Sequence, residues 1–248
     1  MSLKRIFVEI YETLGDRSFL ALFLTALFGA VAAGLSAGLT FYIGGYFWEF
    51  STDQISIQSF SIIISALIAL VISPIISKRI GKKRGAIYVG VAAFTIAPTP
   101  VVLRLMGLMP ENGDPMLFPI VWLVFVAEIT LVITLSILTS SMMADLVEHN
   151  EVKNARRSEG VLFAAATFAR KSVQGFGVLA ASAVLAVVQF PKGVAPGQVP
   201  DEAVFRLGLY YAPVLFVVWM MMVASIGLYR IDRSQHEDNL RTLAEREG

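Results

Sequence analysis

The sequence predicts an all-α integral membrane protein, a bundle of six transmembrane helices with both termini in the cytoplasm. Three observations lead to this fold class. The 248-residue chain is 56% hydrophobic and 16% charged, with a mean hydropathy of +0.70, whereas soluble domains carry about 25% charged residues. Six apolar stretches are each long enough to cross the roughly 30 Å hydrocarbon core of a bilayer. Basic residues are concentrated in alternate segments between those stretches.

The six predicted spans form one transmembrane domain, residues 19–230, in which short connections make neighbouring helices antiparallel. A lead of residues 1–18 precedes the domain and a charged tail of residues 231–248 follows it. Apolar spacing in the lead fits an amphipathic helix lying on the cytoplasmic face, and equally a simple approach to the first span. The predicted spans are residues 19–43, 57–76, 86–109, 117–143, 160–190 and 204–229.

The positive-inside rule orients the predicted bundle. Most of the 20 Lys and Arg residues lie before the first span, after the last, and in the connections following spans two and four. The opposite side holds only Lys192 and Arg206, the latter at the start of the sixth span, together with several acidic residues. Both termini and the connections rich in Lys and Arg are therefore predicted to be cytoplasmic.

The residues available for chemistry argue against an enzyme. The chain has no cysteine, which excludes disulfides, thiolate metal sites and a cysteine nucleophile. Its two histidines, His149 and His236, lie outside the predicted spans and form no metal-binding pattern. Neither a Ser/His/Asp arrangement nor a glycine-rich phosphate loop is present. We therefore predict no catalytic residues, no metal site and no permanently bound cofactor.

Small residues and prolines distinguish two of the predicted spans. The first span carries small residues at intervals of four, which predict close contact with another helix, either within the bundle or in a dimer. In the third span, Pro98 and Pro100 predict a bend or a break, since proline lacks an amide donor. The small residues are Ala26, Ala30, Gly34 and Gly38.

Aromatic residues near the outer ends of the spans have an ordinary interpretation as an interfacial belt, with a ligand site as the alternative. Trp219 lies deeper in the last span and is expected to pack in the core. The predicted belt consists of Tyr42, Tyr46, Trp48, Trp122, Tyr210 and Tyr211.

Two adjacent cations, Arg170 and Lys171, lie near the middle of the fifth predicted span. Lys171 is about 16 Å from the start of that span at 1.5 Å per residue. A cation at this depth makes the free energy of membrane insertion less favourable by about 2.5–3.5 kcal/mol. Lys171 is therefore expected to face the bundle interior or a water-filled cavity. Thr167 and Gln174 share its helix face and form a ladder of hydrogen-bonding groups with it. Arg170 lies about 100° round the helix from Lys171.

Glu128, near the middle of the fourth predicted span, offers a counter-charge at similar depth. The fourth and fifth spans are neighbours in sequence, so Glu128 is expected to pair with Arg170 or Lys171. Such a pair is either a buried structural ion pair or part of a pathway for ions or solutes, which intramembrane ionisable residues usually mark. Arg104 lies near the outer end of the third span and is expected to snorkel to the interface.

The segment "ADLVEHNEVKNARRSEG" at residues 144–160, followed by "TFARK" at residues 167–171, carries a specific pattern. An Ala-Asp pair precedes two acids, a lysine, an Arg-x-Glu and finally a lysine within the membrane. This pattern resembles the motif before and within the eleventh helix of the glycoside–pentoside–hexuronide:cation symporters, the melibiose-permease-like branch of the major facilitator superfamily. The loop "SKRIGKKR" at residues 77–84 is similar to the loop after the eighth helix of facilitators, but it lacks their usual aspartate.

The resemblance implies that the chain forms the C-terminal six helices of a twelve-helix transporter. Such transporters bind a sugar or glycoside between two six-helix halves and couple its movement to Na⁺ or H⁺. Lys171 is implied to lie beside the cation and sugar sites, and Thr167 to line the sugar site. Composition alone favours a different interpretation of the charges of residues 145–159, a solvated cluster of little energetic weight, and the motif spacing is what favours a gate. The residues assigned to a cytoplasmic gate are Asp145, Glu148, Arg157 and Glu159.

Two functional hypotheses follow. In the first, the chain is half of a sugar:cation symporter in the bacterial inner membrane, and its partners are the lipid bilayer, a small polar solute and a second six-helix half. That second half is either another copy or a separate chain. In the second hypothesis, the chain is a non-transporting membrane scaffold or a vestigial half. Neither the solute nor the coupling ion is readable from the residues. The solute and ion pathway is predicted to contain Lys171, Thr167, Gln174, Glu128 and Arg170.

Overall fold

The computed structural model describes residues 16–154 and 159–231, together with 235, 238–239, 241–242 and 245. All regular secondary structure within these residues is helical. The predicted amphipathic lead and most of the charged tail lie outside the described residues. The elements are α1 (Arg17–Tyr42), a π-helix (Ile43–Phe47), α2 (Thr52–Ile80), α3 (Lys82–Ile96), α4 (Thr99–Leu105), α5 (Leu117–Asn154), α6 (Glu159–Val187) and α7 (Asp201–Gly227).

Five helical stretches in the described residues are long and apolar enough to cross a membrane. The fifth predicted span coincides with α6, whose described apolar stretch covers residues 175–187. The count of six spans and the cytoplasmic position of the termini therefore stay predictions. The five stretches are residues 17–47, 52–80, 82–105, 117–152 and 201–227.

Local capping determines where the first two helices begin. The Asp16 carboxylate accepts hydrogen bonds from the backbone N–H groups of Ser18 and Phe19, at 2.8 and 3.0 Å, and this satisfies donors left free at a helix start. Ser51 and Gln54 form a reciprocal capping box at the start of α2. The box starts α2 at Thr52, earlier than the predicted span, because capping chemistry rather than hydrophobicity sets a helix end.

The predicted break in the third span is confirmed. α3 ends at Ile96, and α4 begins at Thr99 with Pro98 as its N-cap and Pro100 within its first turn. Arg104 lies in the last turn of α4. Its guanidinium donates hydrogen bonds to the Pro110 carbonyl and to the Asn112 side chain, which both lie beyond the end of the helix. Its charged end thus reaches the connecting segment, as expected for a residue near a helix end.

α5 is longer than predicted. It continues to Asn154, so the segment from Ala144 onward is helical instead of the loop that the charge pattern indicated. The physical reason is that this stretch contains neither glycine nor proline, the two residues that oppose helix most strongly. Asp145 and Glu148 therefore project from a rigid helix.

The helices pack in two groups, with α1 against α6 and α7, and α5 against α2 and α3. Contacts between α3 and α7 join the groups, whereas α5 and α6 contact each other little. Two apolar clusters fill opposite ends of the bundle. We call the end where α1 begins and α7 stops the Tyr229 end, and the opposite one the Trp48 end. Tyr229 and Trp48 are both buried there.

The small-residue stripe of α1 makes a close contact within the bundle. Gly34 lies against Gly177 of α6, where a Cβ atom on Gly177 would come within 2.8 Å of the Gly34 Cα. One turn further along α1, a Cβ on Gly38 would lie 2.6 Å from the Ala181 Cβ. The close helix contact predicted from sequence is therefore confirmed inside the chain, between α1 and α6.

Candidate functional site

α6 packs mainly on α1, and many of its other described side chains are exposed. Gly177 and Ala181 are buried against α1. Lys171 is exposed and lies about 120° round the helix from Gly177 at 100° per residue. We call the exposed, mostly small or polar residues on this side the polar sector. They are Ala164, Thr167, Lys171, Gly175 and Ser182.

A second exposed surface of α6 is strongly apolar. We call it the apolar sector, and it lies next to the polar sector, on the side of the helix away from α1. Its members are 65–73% exposed and are Phe168, Phe176 and Leu179. The exposed half of α6 is therefore divided into two stripes of opposite chemistry, which is the arrangement of a helix with two different neighbours.

The structure does not unite the predicted solute and ion pathway. Among the described residues, Lys171 makes no ion pair or hydrogen bond, and Glu128 lies in a cavity that no described α6 residue lines. The expected pair between Glu128 and Lys171 is therefore not seen. α5 and α6 follow each other in sequence but barely touch, because α6 packs on α1.

Several predicted residues fall in segments that the structure leaves undescribed. Arg157 lies outside the described residues, and of Glu159, Arg170 and Gln174 only the helical backbone is described. Their assignment to the gate or to the pathway stays a prediction.

An ion pair joins α3 and α5 at the Tyr229 end. The Lys82 Nζ lies 2.6 Å from the Asp145 Oδ1, and Asp145 is buried. Glu148, also assigned to the gate, lies nearly one turn further along α5 and is partly buried. Sequence analysis did not single out Lys82, although it belongs to the basic loop that lacks the usual aspartate. The carboxylate that pairs with Lys82 of this loop belongs to Asp145 on α5.

Further hydrogen bonds connect this ion pair to the ends of α1 and α7. The Lys83 ammonium donates to the Tyr229 carbonyl, and the Tyr229 hydroxyl donates to the Met142 carbonyl at 3.1 Å. The Arg230 N–H donates to the Ser18 hydroxyl at 3.2 Å. Because α1, α3, α5 and α7 are tied together here, the Tyr229 end holds the two helix groups in one arrangement.

Removing the lysine of the ion pair is expected to destabilise the protein. In Lys82→Met the buried Asp145 carboxylate loses its ammonium partner, and the free energy of unfolding should fall by about 1–3 kcal/mol. Thermal unfolding in detergent measures this change. Lys78→Met, the same change at an exposed lysine, should have little effect, and Lys82→Met with Asp145→Asn should recover part of the loss. Equal losses in the two lysine variants would contradict a stabilising ion pair.

A cavity of about 210 Å³ lies toward the Trp48 end, between α1, α5, α7 and the break that separates α3 from α4. Glu128 of α5 and Tyr211 of α7 line it, and Pro98 and Pro100 form part of its wall. The proline break removes a stretch of helix from the bundle wall and so contributes to the opening. Hydrophobicity patterns gave no signal for this cavity, since residues of α1 to α5, of α7 and of the π-helix all line it.

The aromatic residues of the cavity include three to which sequence analysis gave other roles. Trp48 and Tyr211 were expected in the interfacial belt, yet both line the cavity, and Trp48 is buried. Trp219 is partly buried and packs against the core as expected. It stacks on Phe94 with ring centroids 4.1 Å apart and an interplanar angle of 8°.

The comparison with known proteins agrees with this architecture. No curated protein matches the chain significantly. The model of the MFS/sugar transport protein family matches residues 3–233, which is nearly the whole chain. Taken with the long apolar helices, this match shows that the chain is an integral membrane protein that belongs to the MFS/sugar transport protein family.

Proposed function

We propose that the chain is one half of a secondary active transporter that moves a sugar or glycoside together with Na⁺ or H⁺ by alternating access. Membership of the sugar-transport family supports the general activity. The motif of residues 144–171 supports the melibiose-permease-like branch and a place in the bacterial inner membrane. The exposed polar sector of α6 is the observation that carries the proposal.

The polar sector argues for a neighbour other than lipid. Lys171 is exposed on this chain, and a cation facing hydrocarbon at mid-depth costs about 2.5–3.5 kcal/mol. Lipid is instead a favourable neighbour for the adjacent apolar sector, whose side chains are hydrophobic. A solute-filled cavity between this chain and a second half gives the Lys171 ammonium and the Thr167 hydroxyl polar partners, and sugar hydroxyls are suitable ones.

A second six-helix half also suits the exposed sides of α2 and α6. α2 packs mainly on α5 and leaves large apolar side chains uncovered, including Phe60 and Leu67, which are 73% and 62% exposed. In alternating access, one half rocks against the other around a site near the midplane. We propose that this half is a second copy or a separate chain, and that it covers α2 and the polar sector together.

The proposed pathway residues divide into two groups. Thr167 and Lys171, with Gln174 and Arg170, belong to the α6 side and are assigned to solute binding. Glu128 lies in the separate cavity and stays a proposed residue of the solute and ion pathway. The gate is proposed at the Tyr229 end, where the ion pair of Asp145 holds α5 against α3. The gate residues are Asp145, Glu148, Arg157 and Glu159.

Uptake measurements test the proposed function. Membrane vesicles from cells that produce the chain are compared with vesicles from cells that lack it, using radiolabelled sugars and glycosides under an imposed Na⁺ or H⁺ gradient. We expect uptake of at least one solute, and we expect it to stop when the gradient is dissipated. Chemical crosslinking in the same membranes identifies the second half as a copy of the chain or as another protein.

The scaffold hypothesis predicts the opposite result in the uptake measurement. It expects neither gradient-driven uptake nor a sugar-dependent change in thermal unfolding across the same panel. That combined result would overturn the transporter proposal, because both translocation and solute binding would be missing.

A further inference from the structure

We propose that the cavity around Glu128 binds a small organic cation, either a protonated amine or a quaternary ammonium group. The inference goes beyond sugar transport, because it rests on the cavity alone and not on the polar sector of α6. It also assigns Glu128 a ligand of defined chemistry where the transport proposal requires only a coupling ion.

The first argument is charge. Glu128 is the only acidic residue among the described residues that line the cavity, and none of these is Lys, Arg or His. Its carboxylate has no hydrogen bond or ion pair among the described residues. A carboxylate in an apolar bundle is costly without a counter-charge. A bound cation supplies the charge that the described walls lack.

The second argument is the chemistry of the walls. Aromatic rings attract cations through the negative potential of their faces, and ammonium groups are recognised by several rings arranged as a box. Aromatic residues of α3, α5 and α7 and of the turn after the π-helix surround the cavity. They are Trp48, Phe94, Phe125, Tyr211, Phe216 and Trp219. Six rings and one carboxylate are a suitable set for an organic cation.

The third argument is that the lining and the volume of the cavity suit an organic cation better than a metal ion. Na⁺ and similar hard cations need several oxygen ligands at close range. Most residues of the lining carry no side-chain oxygen; besides Glu128, the exceptions are Ser36, Thr40, Gln58 and Tyr211. The cavity volume of about 210 Å³ equals about seven water volumes at roughly 30 Å³ each. A molecule with a few carbon atoms around a charged nitrogen fits this space better than a bare ion.

The experiment uses choline and its neutral isostere, 3,3-dimethyl-1-butanol, which has the same shape without the charge. Each is titrated into the purified chain in detergent, with tryptophan fluorescence and thermal unfolding as readouts, since Trp48 and Trp219 line the cavity. We expect choline to change the fluorescence saturably and to raise the unfolding temperature. The isostere should do neither at the same concentrations.

Variants locate the binding. Glu128→Gln keeps the shape of the side chain and should weaken choline binding at least ten-fold, whereas Glu111→Gln makes the same change at an exposed position and should leave it unchanged. Phe125→Leu keeps an apolar side chain, removes one ring and should weaken binding several-fold, which provides a second test if Glu128→Gln folds poorly.

Three results would overturn the inference. The first is equal binding of choline and the isostere, and the second is unchanged choline affinity in folded Glu128→Gln. The third is an equal response to NaCl at the same concentration, which would make the cavity a site for an inorganic cation. None of these measurements involves a sugar or transport, so failure here is distinct from failure of the proposed function.

Discussion

Replacing Lys171 by alanine is expected to reduce solute uptake to background while the protein remains folded and inserted in the membrane. The ammonium group is proposed to meet the solute in the polar sector, and alanine removes both the charge and its three donors. The stability of the fold should be unaffected, because Lys171 is exposed and makes no hydrogen bond or ion pair among the described residues that the substitution would break. Insertion should even become easier, since a deep cation costs about 2.5–3.5 kcal/mol.

Gradient-driven uptake in vesicles measures this effect, normalised to the amount of inserted protein. Lys192→Ala is the control, since Lys192 is an exposed lysine in the connection between α6 and α7. Thermal unfolding of both variants in detergent should match that of the parent chain within about 0.5 kcal/mol. If Lys171→Ala transports at the parental rate, the polar sector is not the solute site.

Gly177→Leu is expected to prevent α6 from packing on α1. A Cβ atom at this position meets the Val31 carbonyl and lies 2.8 Å from both the Gly34 Cα and the Leu35 nitrogen. These are backbone atoms, so no side-chain rotation relieves the contact. Even alanine should cost about 1–3 kcal/mol, as overpacking does in a close-packed interior, and leucine should cost more, because the two helices must separate.

The matched control lies two residues away. Gly175 is on the polar sector, where an added Cβ has no neighbour within 4 Å. Gly175→Ala should therefore be neutral or stabilise the helix by up to about 1 kcal/mol. Thermal unfolding and limited proteolysis of α6 compare the two alanine variants. A similar stability of Gly177→Ala and Gly175→Ala would rule out the close α1–α6 contact.

The helices themselves were largely predictable. Apolar stretches located every long helix, and Pro98 and Pro100 marked the break between α3 and α4. The errors were concentrated at helix ends. The Ser51–Gln54 capping box starts α2 before its apolar stretch, and the absence of glycine and proline after Ala144 lets α5 continue past its own. Helix ends depend on hydrogen bonds to a few backbone groups, and an apolar pattern does not report those.

The candidate sites were less predictable. The polar face of α6 was visible in the spacing of Thr167 and Lys171, because helical periodicity alone places them together. The expected pair of Glu128 with Lys171 is not seen among the described residues, because that expectation assumed that consecutive helices are neighbours in space; its pair with Arg170 stays a prediction. Asp145 was identified from its motif, but its partner Lys82 lies at the start of another helix.

The sequence by itself determined that this chain forms apolar, membrane-length helices, that one of them carries polar groups along one face, and which family it belongs to. Only the tertiary structure decided that α6 packs on α1, that Asp145 pairs with Lys82, and that Glu128 lies in an aromatic cavity. The physical reason is that hydrophobicity and periodicity act along one helix and show which face needs covering. Which helix covers that face depends on shape complementarity between residues far apart in the chain, as the backbone contact at Gly177 illustrates.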